Sequence, residues 1–259
     1  MQEKPLLVLD FDGVIVDGMT EYWLSARQAF IDLISKNAAK VNFSSTEVPE
    51  DFKRIRPWVH HGWEMVLLAA ECSNRRSRLS TKGIEAFSRN YSKECALALR
   101  KWKWTPNQLQ EALNQARRNA ISKNQKKWFN THKPFATVVQ RLQILDKEKI
   151  EFAVLTTKSL EFTQKLLNNF NLQPKFIFGH ESGNKPEILT QLLREYTIKG
   201  FIEDRRSTLE KIREDQKLQS IPCYLASWGY LKPQDLKELP FGIQLLDLKT
   251  LNTPIANWP

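Results

Sequence analysis

Two carboxylates separated by one residue follow a short apolar run close to the N-terminus. The run is Leu6–Leu9, and the residues after it are Asp10, Phe11, Asp12 and Gly13. Paired acids of this kind can hold a divalent cation, and each can act as a nucleophile or exchange a proton. Without a cation or a shared proton the two carboxylates would repel each other. The pattern therefore predicts metal-assisted chemistry, although aspartates that merely cap the following helix are an equally common explanation.

Apolar runs of this length are typical of strands buried on both faces of a parallel sheet, and their carboxyl ends form the ligand edge of open α/β folds. Three more segments place polar residues at such positions. Each alone has an ordinary explanation as a helix cap, a solvated lysine or surface charge, but together they predict one site. They are Thr156 and Thr157 after the run 152–155, Lys185 before a helix predicted over 187–196, and Glu203 with Asp204 after the run 200–202.

In this order the four segments resemble the four loop motifs of the haloacid dehalogenase (HAD) superfamily of phosphohydrolases. The resemblance is strongest to its phosphoglycolate phosphatase-like and phosphomutase-like branch, and Ala226–Tyr230 resembles the Trp-Gly segment of those enzymes. It covers residues 5–19 and about 134–250. The resemblance implies a doubly wound, Rossmann-like α/β core with a parallel sheet, and an all-helical cap domain inserted after the first strand.

The resemblance also implies a chemical role for each matched residue. Asp10 would be the nucleophile that forms an aspartyl-phosphate, and Asp12 would protonate the leaving oxygen and later deprotonate water. Thr156 and the amide of Thr157 would bind the transferred phosphoryl oxygens. Lys185 would steady both the nucleophile and the phosphate. Because a halide leaves without a proton whereas an alkoxide needs one, the second aspartate argues against dehalogenation.

A magnesium ion is the cofactor that the resemblance implies. Its ligands would be an oxygen of Asp10, the backbone carbonyl of Asp12 and the carboxylate of Asp204. Glu203 would bind the ion directly or through water. Two arginines follow this acidic pair at 205–206, which departs from the common phosphatase pattern and makes Asp204 the stronger ligand candidate.

Residues 20–133 differ from the rest of the chain in pattern and in charge. Apolar residues recur there at three- and four-residue steps, which predicts helices. We therefore expect a core domain formed by residues 1–19 and 134–259 and a helical cap domain over 20–133. The cap segment holds 21 lysines and arginines against 10 aspartates and glutamates, so it carries +11, whereas the remaining residues carry −1 of the net +10.

Three explanations of this basic excess are open. It could steer anionic substrates toward an acidic site, form an ordinary solvated face, or bind nucleic acid. The segment Arg100–Trp104 interleaves cations with aromatic residues, which is typical of nucleic-acid binding. Its two tryptophans are equally consistent with core packing.

Arg56 and His60 are the predicted substrate-binding residues of the cap. They lie beside a turn marked by Pro57 and Gly62, where arginine and histidine could hold a carboxylate or second polar group of a substrate. An equally consistent interpretation is a loop whose arginines pair with Glu64 or with solvent.

The composition sets the outer limits of function. Three cysteines in 259 residues, without a Cys-x-x-Cys pair, indicate neither a disulfide framework nor a thiolate zinc site. No run of eighteen apolar residues occurs, and the first predicted strand leaves no room for a signal peptide, so we expect a cytoplasmic protein with no membrane segment.

The sequence therefore predicts a Mg²⁺-dependent phosphomonoesterase acting on a small anionic metabolite, either phosphoglycolate-like or a sugar phosphate. Two alternatives are kept. A phosphomutase would use the same aspartyl-phosphate, and a protein that binds nucleic acid or another anion would use the basic cap with weak core chemistry. The intact acids and the lysine favour an enzyme, and no oligomeric state is predicted.

Overall fold

The computed structural model describes residues 4–35 and 47–259. The chain forms two compact units. Unit 1 contains the chain up to Asp17 and again from Lys133 to Pro259, and unit 2 is Gly18–His132. The predicted domain ranges include residues 1–3 and 36–46, which lie outside the described residues. Two lysines of the predicted cap are among them.

Within the described part of the chain, unit 1 has eight strands. They are β1 (Pro5–Leu9), β2 (Val16–Asp17), β3 (Lys133–Pro134), β4 (Glu151–Leu155), β5 (Phe176–Phe178), β6 (Thr197–Glu203), β7 (Cys223–Ala226) and β8 (Ile243–Leu246). Six of them form one sheet in the order β5-β4-β1-β6-β7-β8, in which every neighbouring pair is parallel. β2 and β3 form a short antiparallel pair.

Helices follow or separate these strands. Those of unit 2 are α1 (Met19–Ser35), α2 (Glu50–Ile55), α3 (Gly62–Ser73), α4 (Arg78–Lys82), α5 (Ile84–Arg89), α6 (Tyr91–Trp102) and α7 (Pro106–Phe129). Those of unit 1 are α8 (Ala136–Gln143), α9 (Leu160–Asn169), α10 (Lys185–Leu192), α11 (Arg206–Glu214) and α12 (Leu248–Leu251). None of the described helices combines the length and the apolarity that crossing a membrane requires.

β1 lies in the middle of the six-stranded sheet because it is apolar on both faces. Leu6 and Val8 belong to a cluster that includes residues of α10 and α11. Leu7 and Leu9 point to the opposite face and are also fully buried. A strand covered on both faces is typical of doubly wound α/β proteins. The predicted α/β class with a Rossmann-like parallel sheet is confirmed.

α10 begins two residues before the predicted start of this helix and ends four residues before its predicted end. The side chain of Asn184 accepts a hydrogen bond from the backbone N–H of Glu187 at 3.0 Å, which makes Lys185 and Pro186 the first helical residues. The predicted bounds of 187–196 were therefore wrong. At the other end, the N–H of Tyr196 bonds back to the carbonyl of Leu192 at 2.9 Å, which closes the turn before β6.

All elements described in unit 2 are helical, as the periodicity of its apolar residues predicts. Helices α1, α3 and α7 pack against one another around a buried apolar cluster. α7 is interrupted at Asn124, whose φ of −164° and ψ of 91° are not helical. Inside the unit, Glu21 of α1 and Arg117 of α7 form a buried two-pronged ion pair with N–O distances of 2.8 and 2.9 Å.

Candidate active site

The acidic loop after β1 is fixed by backbone hydrogen bonds. The N–H of Asp10 donates to the carbonyl of Ile202 in β6 at 2.8 Å, which continues the sheet by one residue. The N–H of Gly13 then donates to the carbonyl of Val16 at 2.8 Å, so the chain turns back on itself. The carboxylates of Asp10 and Asp12 are consequently held at the carboxyl edge of the sheet, where both residues are buried.

Lys185 joins the first and fourth predicted segments. Its Nζ lies 2.9 Å from Oδ1 of Asp10 and 2.7 Å from Oε2 of Glu203. Burial alone would lower the pKa of Lys185, but the two carboxylates outweigh it and the pKa is raised. The lysine therefore stays charged between the two acids.

Burial raises the pKa of Asp10 from 3.8 to about 6, and the negative charge of Glu203 adds to that effect, while Lys185 opposes it. Burial also acts to raise the pKa of Glu203, yet the net shift is downward because Lys185 and Arg205 favour its charged form. Of the two acids that share the lysine, Asp10 is thus the one that holds its proton more tightly.

Glu203 has hydrogen-bond partners on both carboxylate oxygens. Oε1 accepts the backbone N–H groups of Asp204 and Arg205, each at 3.1 Å, and Oε2 accepts from Lys185. The side chain of Asp204 is held separately, because its Oδ2 accepts the N–H of Tyr230 at 2.9 Å. These contacts fix the two acids at the end of β6 in different orientations.

Two glycines allow the backbone to approach Asp204 closely. A Cβ on Gly13 would lie 1.9 Å from Oδ2 of Asp204, and a Cβ on Gly229 would lie 2.3 Å from its Cβ. Gly13 also has a φ of +87°, a conformation that other residues adopt at a cost. The glycine of the first segment and that of the Trp-Gly segment are therefore both needed to bring Asp204 against the loop after β1.

Asp10, Glu203 and Asp204 can each place a carboxylate oxygen within 4.8 Å of the other two. The structure thus brings the acids from the two ends of the sequence together. Asp12 is a fourth carboxylate at this edge, and its Oδ1 lies 3.4 Å from the Nζ of Lys158. A cluster of three carboxylate oxygens from Asp10, Glu203 and Asp204 fits a hard divalent cation such as Mg²⁺.

The segment after β4 contributes Thr156 to the same edge. Thr156 is buried, and its backbone N–H donates to the carbonyl of Phe178, the last residue of β5, at 2.9 Å. Its Oγ1 accepts the backbone N–H of Lys158 at 3.1 Å. Thr157, the predicted amide donor, has an exposed side chain.

Two residues at this edge have no role among the sequence predictions. The Nζ of Lys158 lies 3.4 Å from Oδ1 of Asp12, and Tyr230 binds Asp204 through its N–H while its hydroxyl donates to Oδ1 of Asp17. The sequence signal for Lys158 was its place beside two threonines at a strand end. For Tyr230 it was the resemblance of the Trp-Gly segment.

The predicted substrate-binding residues Arg56 and His60 belong to unit 2. Arg56 is buried, with its guanidinium carbon 5.4 Å from the centre of the Tyr22 ring. His60 is partly buried, and its backbone N–H donates to Oε2 of Glu64 at 2.8 Å. Neither residue is a simple solvated side chain.

The two tryptophans of the segment Arg100–Trp104 make contacts inside unit 2. The Nε1 of Trp102 donates to Oε1 of Glu71 at 2.9 Å, and the rings of Trp102 and Trp104 stack at 4.8 Å. Both tryptophans pack against the apolar cluster of the unit, whereas the three cations of the segment are exposed. These contacts favour core packing for the aromatic residues.

Solved structures with the same fold cover nearly the whole chain at low sequence identity. A predicted phosphatase from Clostridium acetobutylicum has a TM-score of 0.58 at 13% identity and covers 97% of both chains. A predicted phosphoglycolate phosphatase from Haemophilus somnus has a TM-score of 0.55 at 15% identity, with 94% of this chain and 95% of that chain covered. A protein from Thermotoga maritima provisionally named a beta-phosphoglucomutase has a TM-score of 0.53 at 14% identity and covers 96% of both chains. At these identities the likeness shows the fold alone.

A comparison with curated proteins finds no match. By contrast, a model of the haloacid dehalogenase-like hydrolases matches residues 5–206, which is well over half of the sequence. That match confirms both the predicted superfamily and the prediction of an enzyme. The chain belongs to the haloacid dehalogenase-like hydrolase family.

Proposed function

We propose that the protein is a Mg²⁺-dependent phosphomonoesterase that hydrolyses a small phosphorylated metabolite through an aspartyl-phosphate at Asp10. The observation that carries this proposal is the position of the Lys185 ammonium between Asp10 and Glu203. An anionic nucleophile attacks an anionic phosphate only where positive charge offsets their repulsion. The lysine supplies part of that charge, at hydrogen-bond distance from the carboxylate that would react.

Two aspartates divide the chemistry between them in this proposal. An oxygen of Asp10 forms a bond to phosphorus while the bond from phosphorus to the leaving oxygen breaks. The leaving oxygen keeps the electrons of that bond and takes a proton from the carboxyl group of Asp12. Asp12 then removes a proton from the water that attacks the phosphorus, and Asp10 is released as a carboxylate.

The remaining residues of the edge bind and orient. Lys185 keeps the attacking carboxylate in place and contacts the phosphoryl group, and the hydroxyl of Thr156 with the amide of Thr157 binds the oxygens of that group. Glu203 orients Lys185, since its Oε2 accepts from the ammonium while its Oε1 is fixed by two backbone amides.

The residues that would hold Mg²⁺ are Asp10, Asp204 and the backbone carbonyl of Asp12, with Glu203 in direct or water-mediated contact. The bound ion would offset negative charge of these carboxylates and draw electron density from the phosphoryl oxygens. Gly13 and Gly229 support this assignment because they let Asp204 lie against the loop that carries Asp10 and Asp12.

The proposed substrate is phosphoglycolate-like or a sugar phosphate. Two of the solved structures with this fold carry corresponding names, one as a phosphoglycolate phosphatase and one as a phosphoglucomutase. We propose that residues 20–133 act as the cap domain and that Arg56 and His60 contribute to substrate binding there. A cytoplasmic location is part of the same proposal.

The phosphomutase alternative differs in the acceptor of the phosphoryl group. In a hydrolase water accepts it, whereas in a mutase a hydroxyl of the sugar phosphate accepts it. The alternative in which the basic cap binds nucleic acid receives less support, because Trp102 and Trp104 are used in packing within unit 2.

The test is release of inorganic phosphate from a panel of phosphorylated metabolites, with Mg²⁺ varied and with Asp10→Asn as the matched variant. We expect Mg²⁺-dependent release that Asp10→Asn abolishes. Conversion of a sugar phosphate to its isomer without net phosphate release would favour the mutase. Salt-sensitive binding of oligonucleotides with no turnover of any phosphate ester would contradict the proposal.

A further inference from the structure

Lys158 is a buried lysine next to the second aspartate of the active-site loop. Its side chain is 0% exposed, and its Nζ lies 3.4 Å from Oδ1 of Asp12. The backbone of Lys158 is fixed at both polar groups, because its N–H donates to Thr156 Oγ1 and its carbonyl accepts the N–H of His180. Lys158 therefore has little freedom to lie elsewhere.

Burying an ammonium group is costly unless a carboxylate or several hydrogen bonds compensate for the lost water. Lys158 is compensated by Asp12, just as Lys185 is compensated by Asp10 and Glu203. Each aspartate of the first segment thus has its own lysine. The two lysines come from different segments, one after β4 and one at the start of α10.

We propose that Lys158 is a positioning residue that holds the carboxyl group of Asp12 in the orientation from which it protonates the leaving oxygen. This inference rests on the proposed function, in which Asp12 gives its proton to that oxygen as the phosphorus–oxygen bond breaks. Lys158 makes no bond in the reaction. It acts by limiting where the Asp12 carboxyl group can point.

Two other roles for the lysine would give different kinetics. If Lys158 bound the transferred phosphoryl group directly, its removal would slow every substrate by a similar factor. If it only filled space in the core, its removal would lower stability without any dependence on the substrate. A residue that acts through Asp12 affects only those substrates whose leaving oxygen needs a proton.

The experiment compares Lys158→Met and Lys158→Arg with the wild type on a series of aryl phosphates whose phenols range from strongly to weakly acidic. General acid catalysis contributes roughly 100-fold or more for a poor leaving group and little for a good one. We therefore expect Lys158→Met to lower kcat by about 100-fold for the least acidic phenol and only slightly for the most acidic. Lys158→Arg keeps the charge and should restore most of the loss.

Asp12→Asn provides the matched background. If Lys158 acts through Asp12, Lys158→Met should add no further loss in Asp12→Asn at any leaving group. This double variant also removes both partners of the buried pair, so it remains informative if Lys158→Met alone does not fold. An additional loss in the double variant, or an equal loss across the whole series in Lys158→Met, would overturn the proposal.

Asp10→Asn separates this inference from the proposed function. If Asp10→Asn retains the full activity toward the aryl phosphates, the aspartyl-phosphate mechanism is wrong, and the role of Lys158 that rests on it is overturned with it. If Asp10→Asn is inactive and Lys158→Met has the leaving-group dependence of the wild type, only the role of Lys158 is wrong.

Discussion

The side-chain nitrogen of Lys185 lies 2.9 Å from Oδ1 of Asp10. The same nitrogen lies 2.7 Å from Glu203 Oε2, so one ammonium group is shared by two buried carboxylates. Removing one partner of a buried ion pair is strongly destabilising, because the remaining charge is left in the protein interior. The geometry therefore links stability to the same contact that supports the proposed chemistry.

Removing this ammonium group should affect stability as well as activity. We expect Lys185→Met to lower the free energy of unfolding by about 3 kcal/mol, because Asp10 and Glu203 then lose the ammonium group that they share. Denaturant unfolding measures this change. The matched control is Lys175→Met, which removes an exposed ion pair with Glu151 and should therefore change the free energy of unfolding far less. Equal losses in the two variants would contradict this account.

The raised pKa of Asp10 predicts the acid side of the pH profile. An aspartate with a pKa of about 6 instead of 3.8 is protonated, and so cannot attack, at pH values where an ordinary aspartate is already charged. At low Mg²⁺ we expect kcat/KM to fall as the pH drops through about 6. Added Mg²⁺ favours the carboxylate and should move this limb to lower pH. An acid limb that does not respond to Mg²⁺ would count against Asp10 as a ligand.

Gly13 offers a test of the close approach to Asp204. In Gly13→Ala the new methyl group would lie 1.9 Å from Oδ2 of Asp204, so the acid must move and we expect Mg²⁺ affinity to fall. Gly83→Ala is the matched control, since Gly83 has a similar φ of +78° but no atom within 4 Å of its added Cβ. Backbone strain of about 1–2 kcal/mol is common to both variants, whereas loss of metal binding should occur only at Gly13. Calorimetric titration with Mg²⁺ distinguishes them, and unchanged affinity in Gly13→Ala would refute the packing argument.

The pair of Glu21 and Arg117 should be important for the stability of unit 2. Their side chains are 1% and 3% exposed, so Glu21→Gln leaves a buried guanidinium without its counter-charge and should cost about 3–5 kcal/mol. Glu111→Gln, which removes an exposed partner of Arg118, should cost under about 1 kcal/mol. Thermal unfolding of the two variants measures the difference. If Glu21→Gln unfolds at the same temperature as Glu111→Gln, the ion pair of Glu21 and Arg117 contributes little to the stability of unit 2.

The sheet and its acidic edge could be predicted because their signals are local. β1, β4 and the part of β6 over 200–202 contain short apolar runs that are followed by polar residues, and such runs are typical of parallel strands buried on both faces. The helical texture of unit 2 was likewise visible in its periodicity. The break in α7 could not be located from the sequence, because Asn124 is one of several asparagines in this segment and the others keep helical backbone angles.

The contacts that refine the site could not be predicted because they join residues far apart in sequence. Lys158 resembles any lysine at a helix start until folding brings it to Asp12. Glu203 was expected to be a metal ligand in direct or water-mediated contact, but its engagement with Lys185 and two backbone amides depends on the packing of α10 against β6. The role of Tyr230 depends on its backbone N–H, which no side-chain pattern reveals.

In the proposed mechanism, Asp10 carries the phosphoryl group between the two half-reactions. The most direct measurement is acid quenching of the enzyme during turnover of an aryl phosphate, followed by mass spectrometry of its peptides, with Asp12→Asn used to slow hydrolysis of the intermediate. We predict a phosphorylated peptide whose modification maps to Asp10 and is lost in Asp10→Asn. Phosphorylation at another residue, or turnover that continues undiminished in Asp10→Asn, would contradict the account.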